Sequence, residues 1–239
     1  MRVLHINSGK LFGGVETMLV TLARCRGLCP EMTPEFAVSF DGRFATDLTA
    51  AGAAVHRLGP VRIRYPLSVW RARRRLRDLL GRSSYDAIVC HLAWSQAIFG
   101  PVARAAGIPL VFWLHGSTSG KHWLERLASL VKPDFAFAPS RFSAATLPNL
   151  YPGVPSEVLY NPVLPPAAHL SDEERLAVRK ELDTPRDAVV IVQVSRMEEG
   201  KGQRLHLQAL AMLRGNPRWQ CWMIGGPQQP GEDSYFKSL

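Results

Sequence analysis

The chain has 239 residues, 46% of them hydrophobic and 21% charged, with a formal net charge of +9. That composition excludes a disordered or fibrous polypeptide and leaves room for one large domain or two modest ones. The positive balance favours acidic partners (nucleic acid, anionic membrane or phosphorylated small molecules) and does not choose among them.

Met1 and Arg2 run straight into a short apolar stretch, "RVLHIN", with no signal-peptide core behind them. No apolar run approaches the roughly 18–20 residues that span a bilayer. The expectation is a cytoplasmic protein. In chain order, a strand at 3–8 passes through "GKLFGGVET" into a helix at 16–26. A strand at 36–40, a helix at 43–51 and a strand at 55–58 follow, then a helix at 67–80, a strand at 87–92 and a helix at 95–106. The rhythm continues with a strand at 110–115, a helix at 121–131, a strand at 135–139, a helix at 142–147 and a strand at 158–160. Such alternation reads as a doubly wound α/β domain with a mainly parallel sheet. "DAIVC" and "PLVFWLH" are continuously apolar, as strands covered on both faces are. Cys25, Cys29, Cys90 and Cys221 form no CxxC pair and read as reduced thiols.

The texture changes at Asn161. "NPVLPPAAHL" reads as a linker, and Ser171 with Glu174 makes a capping box for the next helix. "AVVIVQVS", a helix at 202–213 and "WQCWMIGG" then restart the α/β pattern, and "EDSYFKSL" lies within a helix. The expected organisation is an N-terminal Rossmann-like domain at 1–162, a linker and helix at 163–186, and the beginning of a second Rossmann-like domain at 187–239. About 50 residues are too few for a self-sufficient core, so the second part is expected to be an incomplete domain or to dock on the first.

Two loops could carry chemistry. In "GKLFGGVET" the glycines fall at Gly9, Gly13 and Gly14, which matches neither GxGxxG nor GxxxxGK[ST]. A Gly-Gly pair before a helix start can still let backbone N–H groups approach an anion; a plain tight turn is the other reading. Asp41, at the end of the second strand, could meet a ribose, but "FDGR" is good turn chemistry. In "SRMEEGKG", Arg196 and Lys201 flank a strand-to-helix loop. A guanidinium fork and a point charge suit a pyrophosphate, or they are two solvated cations.

Taken together, "GGVE", "WLHG", "VSRMEEGKG" and "MIGGPQ" resemble the retaining glycosyltransferases of the GT-B fold, family 4, along the whole chain. The resemblance implies two Rossmann-like domains facing a cleft, with a nucleotide-diphosphate sugar as donor and a glycan, lipid-linked or small-molecule acceptor. It implies that Arg196 and Lys201 grip the donor diphosphate and stabilise the leaving phosphate without a metal or other cofactor. Gly13 and Gly14 would supply backbone N–H groups to the same diphosphate, and His115 would lie near the transferred sugar. The absence of an Asp-x-Asp agrees with metal-free chemistry. The family also carries a late pair of glutamates that contact the sugar and the ribose; this chain ends before such a pair, so little transferase activity is expected of it alone.

Other stretches are less specific. Arg71, Arg73, Arg74, Arg75 and Arg77 crowd residues 68–82, with Val69, Leu76, Leu79 and Leu80 as an apolar face. This basic amphipathic helix could lie on an anionic membrane, at the inner face of the cell membrane, or be a solvated outer helix. No nucleic-acid motif accompanies it, so no nucleic acid is expected. His91 and Arg141, at strand ends facing the same edge, are candidate acceptor contacts; Ser140 is a good N-cap. His5 reads as a core residue. Two competing functions stay open: a non-catalytic acceptor-binding or membrane-docking remnant, and an NAD-type oxidoreductase.

Overall fold

The computed structural model describes residues 1–165, 169–213, 215 and 218–239, and the linker residues 166–168 lie outside that description. Two compact units divide the chain, Met1–Leu164 and Pro165–Leu239.

In the first unit, seven strands make one parallel sheet: β1 (Arg2–Asn7), β2 (Thr33–Val38), β3 (Val55–Arg57), β4 (Ala87–His91), β5 (Leu110–Trp113), β6 (Phe135–Ala138) and β7 (Ser156–Val158). Their order is β3-β2-β1-β4-β5-β6-β7, and every neighbouring pair is parallel. The connections wind outward from β1 in one direction and from β4 in the other. The crevice beyond the carboxyl ends of β1 and β4 is therefore the topological switch point, where open α/β sheets bind ligands.

Alternation along the strands divides the core into two faces. Leu4, Ile6, Ile88 and Cys90 point to one side, where α3 (Pro66–Arg82) and α4 (Leu92–Ala105) bring Ala72, Leu76, Ile98 and Phe99. Val3, Phe36, Val38 and Val89 point to the other, under Met18 and Leu19 of α1 (Gly14–Arg24) and Phe44 and Leu48 of α2 (Arg43–Ala50). A third cluster packs Phe112 and Ala136 with Leu147 and Tyr151, next to α5 (Trp123–Ser129) and α6 (Arg141–Thr146). The four cysteines are unpaired.

Two prolines stand where the ladder rules oppose them, and each is accommodated. β2 starts three residues before the expected strand and includes Pro34. Thr33 N–H donates toward β1 and Phe36 N–H donates to Ala54 O on the β3 side. By alternation Pro34 faces the β3 side, and β3 begins only at Val55, opposite Phe36. Its missing donor has no partner to lose. Pro101 lies inside α4 and removes the N–H that the Ala97 carbonyl would receive. Arg73 fills the gap: its guanidinium donates to Ala97 O at 3.1 Å and to Ile98 O at 2.7 Å.

The second unit contains α7 (Asp172–Glu181), β8 (Val189–Val194), α8 (Gln203–Ala211), β9 (Trp219–Ile224) and α9 (Pro230–Lys237). The expected capping box is present at α7: Glu174 N–H donates to Ser171 Oγ and Ser171 N–H to Glu174 Oε2. β8 and β9 pair in parallel over six residues. Among the described residues of this unit, only Ala188, Met197 and Leu210 are fully buried apolar side chains, while Val189, Val192, Val194 and Ile224 stand exposed. Two parallel strands bury too little surface to hold a core by themselves.

The role of Arg73 is testable. Arg73→Met leaves the Ala97 carbonyl of α4 without a donor and should destabilise the first unit by about 1–3 kcal/mol in urea unfolding, the cost of an unsatisfied buried polar group. Arg74→Ala, on the exposed side of the same helix, should cost no more than about 0.5 kcal/mol.

Candidate functional site

The loop after β1 is shaped by its glycines in two different ways. Asn7 closes the strand, and its Oδ1 accepts the Gly9 N–H at 2.7 Å. Gly9 has φ 71°, and a Cβ there would stand 2.9 Å from the Phe40 carbonyl oxygen, so this position requires glycine. Gly13, the N-cap of α1, is extended at φ −152°. Its N–H donates to Glu16 Oε2 at 2.9 Å, half of a capping box that a glycine cannot complete. Gly14 is exposed, and a Cβ on it would meet nothing within 4 Å. Neither Gly13 nor Gly14 has left-handed backbone. The fold itself does not call for glycine at these two positions. The first turn of α1 leaves further N–H groups without intrahelical partners at the positive end of the helix dipole, beside the Glu16 carboxylate that already takes the Gly13 N–H.

Beside this loop, three histidines stand in a row across the sheet. His5 Nδ1 lies 3.0 Å from His91 Nε2, and His91 Nδ1 lies 2.8 Å from His115 Nε2. The rings are stacked, with centroids 5.3 and 5.1 Å apart. His5 belongs to β1, His91 ends β4, and His115 lies two residues past the end of β5. The strand-to-helix change at His91 is abrupt, because α4 begins at the next residue, Leu92, held at φ 66°. A left-handed leucine is strained, and the three residues by which α4 exceeds its expected start follow from that turn. Burial pushes the His5 pKa down to about 3 and that of His115 to about 4. His91 is held well below its ordinary range by burial, then by its two histidine neighbours. All three rings are therefore neutral at pH 7. His91, at 1% exposure and with both ring nitrogens engaged, offers no free nitrogen to an acceptor.

Trp113 packs against His91, His115 and Phe137 within the first unit. Ser140 caps α6 as expected, accepting the Ser143 N–H at 3.1 Å, and Arg141 projects into solvent at the same edge. Asp41 sits in a turn and pairs with Arg57 at 2.7 Å. A cavity of about 520 Å³ lies at the opposite edge of the sheet, between Arg104, Lys132, Asp134 and Pro155, away from all of these residues.

Within the second unit, the loop after β8 carries both predicted cations, and both face carboxylates. Arg196 pairs with Glu198 and, at 3.4 Å, with the buried Glu232; Lys201 Nζ lies 3.5 Å from Glu198 Oε1. Glu198 thus bridges the two cations. Gln203 ties the loop down by donating to the Arg196 carbonyl at 2.6 Å and to Ser195 Oγ at 3.0 Å.

The basic helix is used differently from its sequence pattern. Leu76 and Leu79 of the expected apolar face are buried against the sheet, Arg73 bonds to carbonyls within α4, and Arg75 donates to Leu58 O at 3.1 Å. What remains outside is Tyr65, Leu67 and Trp70 with Arg64, Arg71, Arg74 and Arg77. No helix among the described residues is long and apolar enough to cross a membrane.

The pattern in sequence missed His5, Glu198 and Glu232. His5 sits inside an apolar run and carries no local mark of its partners, which are 86 residues away in sequence for the nearest bond.

Residues 12–165 match the profile of Glycosyltransferase Family 4. No curated protein matches the chain. The fold is similar to that of HepE from Anabaena, solved in complex with UDP-glucose, at 22% identity and a TM-score of 0.82, covering 100% of this chain and 64% of that one. It is similar to a glycosyltransferase from Rickettsia africae at 18% identity and a TM-score of 0.74, covering 99% of this chain and 64% of that one. Sucrose-phosphate synthase from Thermosynechococcus elongatus shares the fold at 12% identity and a TM-score of 0.72, covering 99% and 66%. The chain thus spans just under two thirds of the length of HepE.

Neutral buried histidines tie stability to pH. The unfolded chain binds protons below about pH 6.5 while these rings in the fold do not, so their contribution is full above that pH and is lost as pH falls toward 4. Between pH 6.5 and 5 each ring should cost about 1–2 kcal/mol. Urea unfolding of His5→Phe should show a shallower loss of stability over that window than the unaltered chain.

Proposed function

The chain belongs to Glycosyltransferase Family 4, and from that premise we propose that it serves the transfer of a sugar from a nucleotide-diphosphate donor to a glycan, lipid-linked or small-molecule acceptor. The observation that carries this reading is the glycine pair at the head of α1. Gly13 and Gly14 stand at the switch point of the sheet with no demand from the fold for glycine. Small residues there leave an oxygen-rich anion free to reach the helix N–H groups.

In this reading each unit supplies one phosphate-binding element. In the first, Gly13 and Gly14 keep the head of α1 open. In the second, Arg196 and Lys201 take the donor diphosphate, the guanidinium as a fork and the ammonium as a point charge. As the glycosidic bond to the diphosphate breaks, negative charge grows on the leaving phosphate, and two fixed cations stabilise it in place of a metal or other cofactor. Glu198 holds both cations before the donor arrives and must yield to it. His115 meets the transferred sugar as a neutral hydrogen-bonding group. Retention at the anomeric carbon follows the resemblance carried by "GGVE", "WLHG" and "VSRMEEGKG". Arg141, exposed and next to the Ser140 cap, is the proposed contact for the acceptor.

The test is donor binding by calorimetry with UDP, UDP-glucose and GDP-mannose, followed by transfer of labelled sugar. HepE is bound to UDP-glucose in its crystal structure, which makes that donor the first choice. Arg196→Ala should weaken binding at least about tenfold, the loss of one charge-assisted contact of roughly 1.5–3 kcal/mol. Glu198→Gln should tighten it several-fold by removing the competing carboxylate. Unchanged affinity in both variants would contradict the role given to the loop, and binding without any turnover would identify a donor-binding module rather than a complete transferase.

A second observation supports contact with an anionic membrane surface. Trp70 is 54% exposed and Leu67 67%, among the exposed Arg64, Arg71, Arg74 and Arg77. Aromatic and apolar side chains flanked by cations suit the lipid headgroup boundary. Sedimentation with vesicles containing anionic lipid should retain the chain at low salt and release it at high salt, and a Leu67→Ser, Trp70→Ser variant should stay in solution. Equal binding to neutral vesicles, or none to anionic ones, would remove the membrane from this account.

A further inference from the structure

Three neutral imidazoles carry three ring N–H protons between them. In the row His5, His91, His115, two of these protons lie in the two hydrogen bonds. The third sits at one end, on His5 Nε2 or on His115 Nδ1. Both of those nitrogens are buried with no hydrogen-bond partner in the protein. Each bond joins a δ nitrogen to an ε nitrogen, so the tautomers are linked. If His5 carries its proton on Nδ1, His91 and His115 do the same, and His115 Nδ1 is a donor. If His115 carries its proton on Nε2, His91 and His5 follow, and His115 Nδ1 is a bare acceptor.

We infer that His5 and His91 are positioning residues that act through His115, and that the row as one unit decides whether His115 Nδ1 gives or receives a hydrogen bond. Changing from the first state to the second moves one proton along each bond. It also takes up one proton at His5 Nε2 and releases one at His115 Nδ1, with no change in net charge. Both end nitrogens are buried in the ligand-free fold, so the row changes state only when one of them is uncovered. A ring that took up a proton without passing one on would be a cation among stacked aromatic rings. His5 lies against Phe36, with centroids 5.5 Å apart, and His115 against Trp113, also at 5.5 Å. Burial accordingly disfavours the charged form of all three rings. The row is built to fix polarity rather than to store a proton. A strained Leu92 immediately after His91 and the short bonds on either side hold the middle ring in place.

What meets His115 Nδ1 rests on the proposed function, in which it is a sugar hydroxyl that reaches this unpartnered nitrogen when binding uncovers it. A hydroxyl can donate or accept, so the row selects which orientation of that hydroxyl is bound. This gives two residues remote from the ligand a part in substrate selection.

The experiment uses the whole chain labelled with 15N in its histidine rings. Long-range proton–nitrogen correlation at pH 7 distinguishes a ring N–H from a bare nitrogen. Three neutral rings all protonated at the same ring position, all Nδ1 or all Nε2, are expected for His5, His91 and His115. Unlike tautomers within the row, or an imidazolium among them, would overturn the inference. His5→Phe keeps the stack on Phe36 and removes the first bond; His115 should then show averaged, exchange-broadened ring signals, and an unchanged single tautomer would count against coupling. If that variant does not fold, the concordance in the unaltered chain still decides. Neither readout involves a donor sugar, so failure of the transferase reading leaves both results standing.

Discussion

Seven strands running in one direction impose the constraint on which the first unit depends. Parallel pairing sends every strand's carboxyl end to the same edge, and the reversal of winding between β1 and β4 opens a crevice there. The loop with Gly13 and Gly14, the abrupt turn at Leu92 and His115 all arise at that edge because they follow β1, β4 and β5, three adjacent strands. Helices returning behind the sheet present their N-terminal N–H groups to the same side. Buried parallel strands also demand apolar runs on both faces, and that demand exposes every departure. Pro34 is tolerated where no neighbour strand waits for its N–H, and at Pro101 Arg73 reaches across from α3 to the freed Ala97 carbonyl.

Against such an interior, three histidines in hydrogen-bonded contact are a costly choice. Each must stay neutral, and each must find a partner for nitrogens that water cannot reach. The row solves most of this by pairing histidine with histidine and leaves one nitrogen unpaired at each end. Neutral rings cannot offset the charge on a departing phosphate. In the proposed reaction that task falls on the cations of the second unit, whose present counter-ions are the carboxylates of Glu198 and Glu232.

Most of the fold could be read in the sequence. Strand and helix periods located six strands of the sheet, the central ones because their apolar runs are unbroken, while β7 at Ser156–Val158 shares only Val158 with the expected strand because Ser-Glu-Val carries no apolar run. Errors clustered at element ends, where local backbone chemistry decides: the start of α4 depends on a left-handed Leu92, which a sequence pattern does not announce. Arg196, Lys201 and the glycine pair stood out because residue type and spacing together described a loop after a strand. The partnership of His5, His91 and His115 did not, since it is written in strand order and side-chain direction. The arginine-rich helix stayed open between a membrane surface and a solvated outer position for the same reason. Amphipathicity marks a face, and packing alone tells whether that face is lipid-facing or, as for Leu76 and Leu79, spent on the sheet.

In the proposed function the head of α1 and the loop after β8 are each a phosphate-binding element for a nucleotide donor. Backbone amide shifts recorded while UDP is added to the labelled chain test it most directly. The account predicts saturable shifts at Gly14 and Val15 in the first unit and at residues 196–202 in the second. Shifts confined to the opposite edge, around Arg104, Lys132 and Pro155, or no shifts at millimolar UDP, would contradict it.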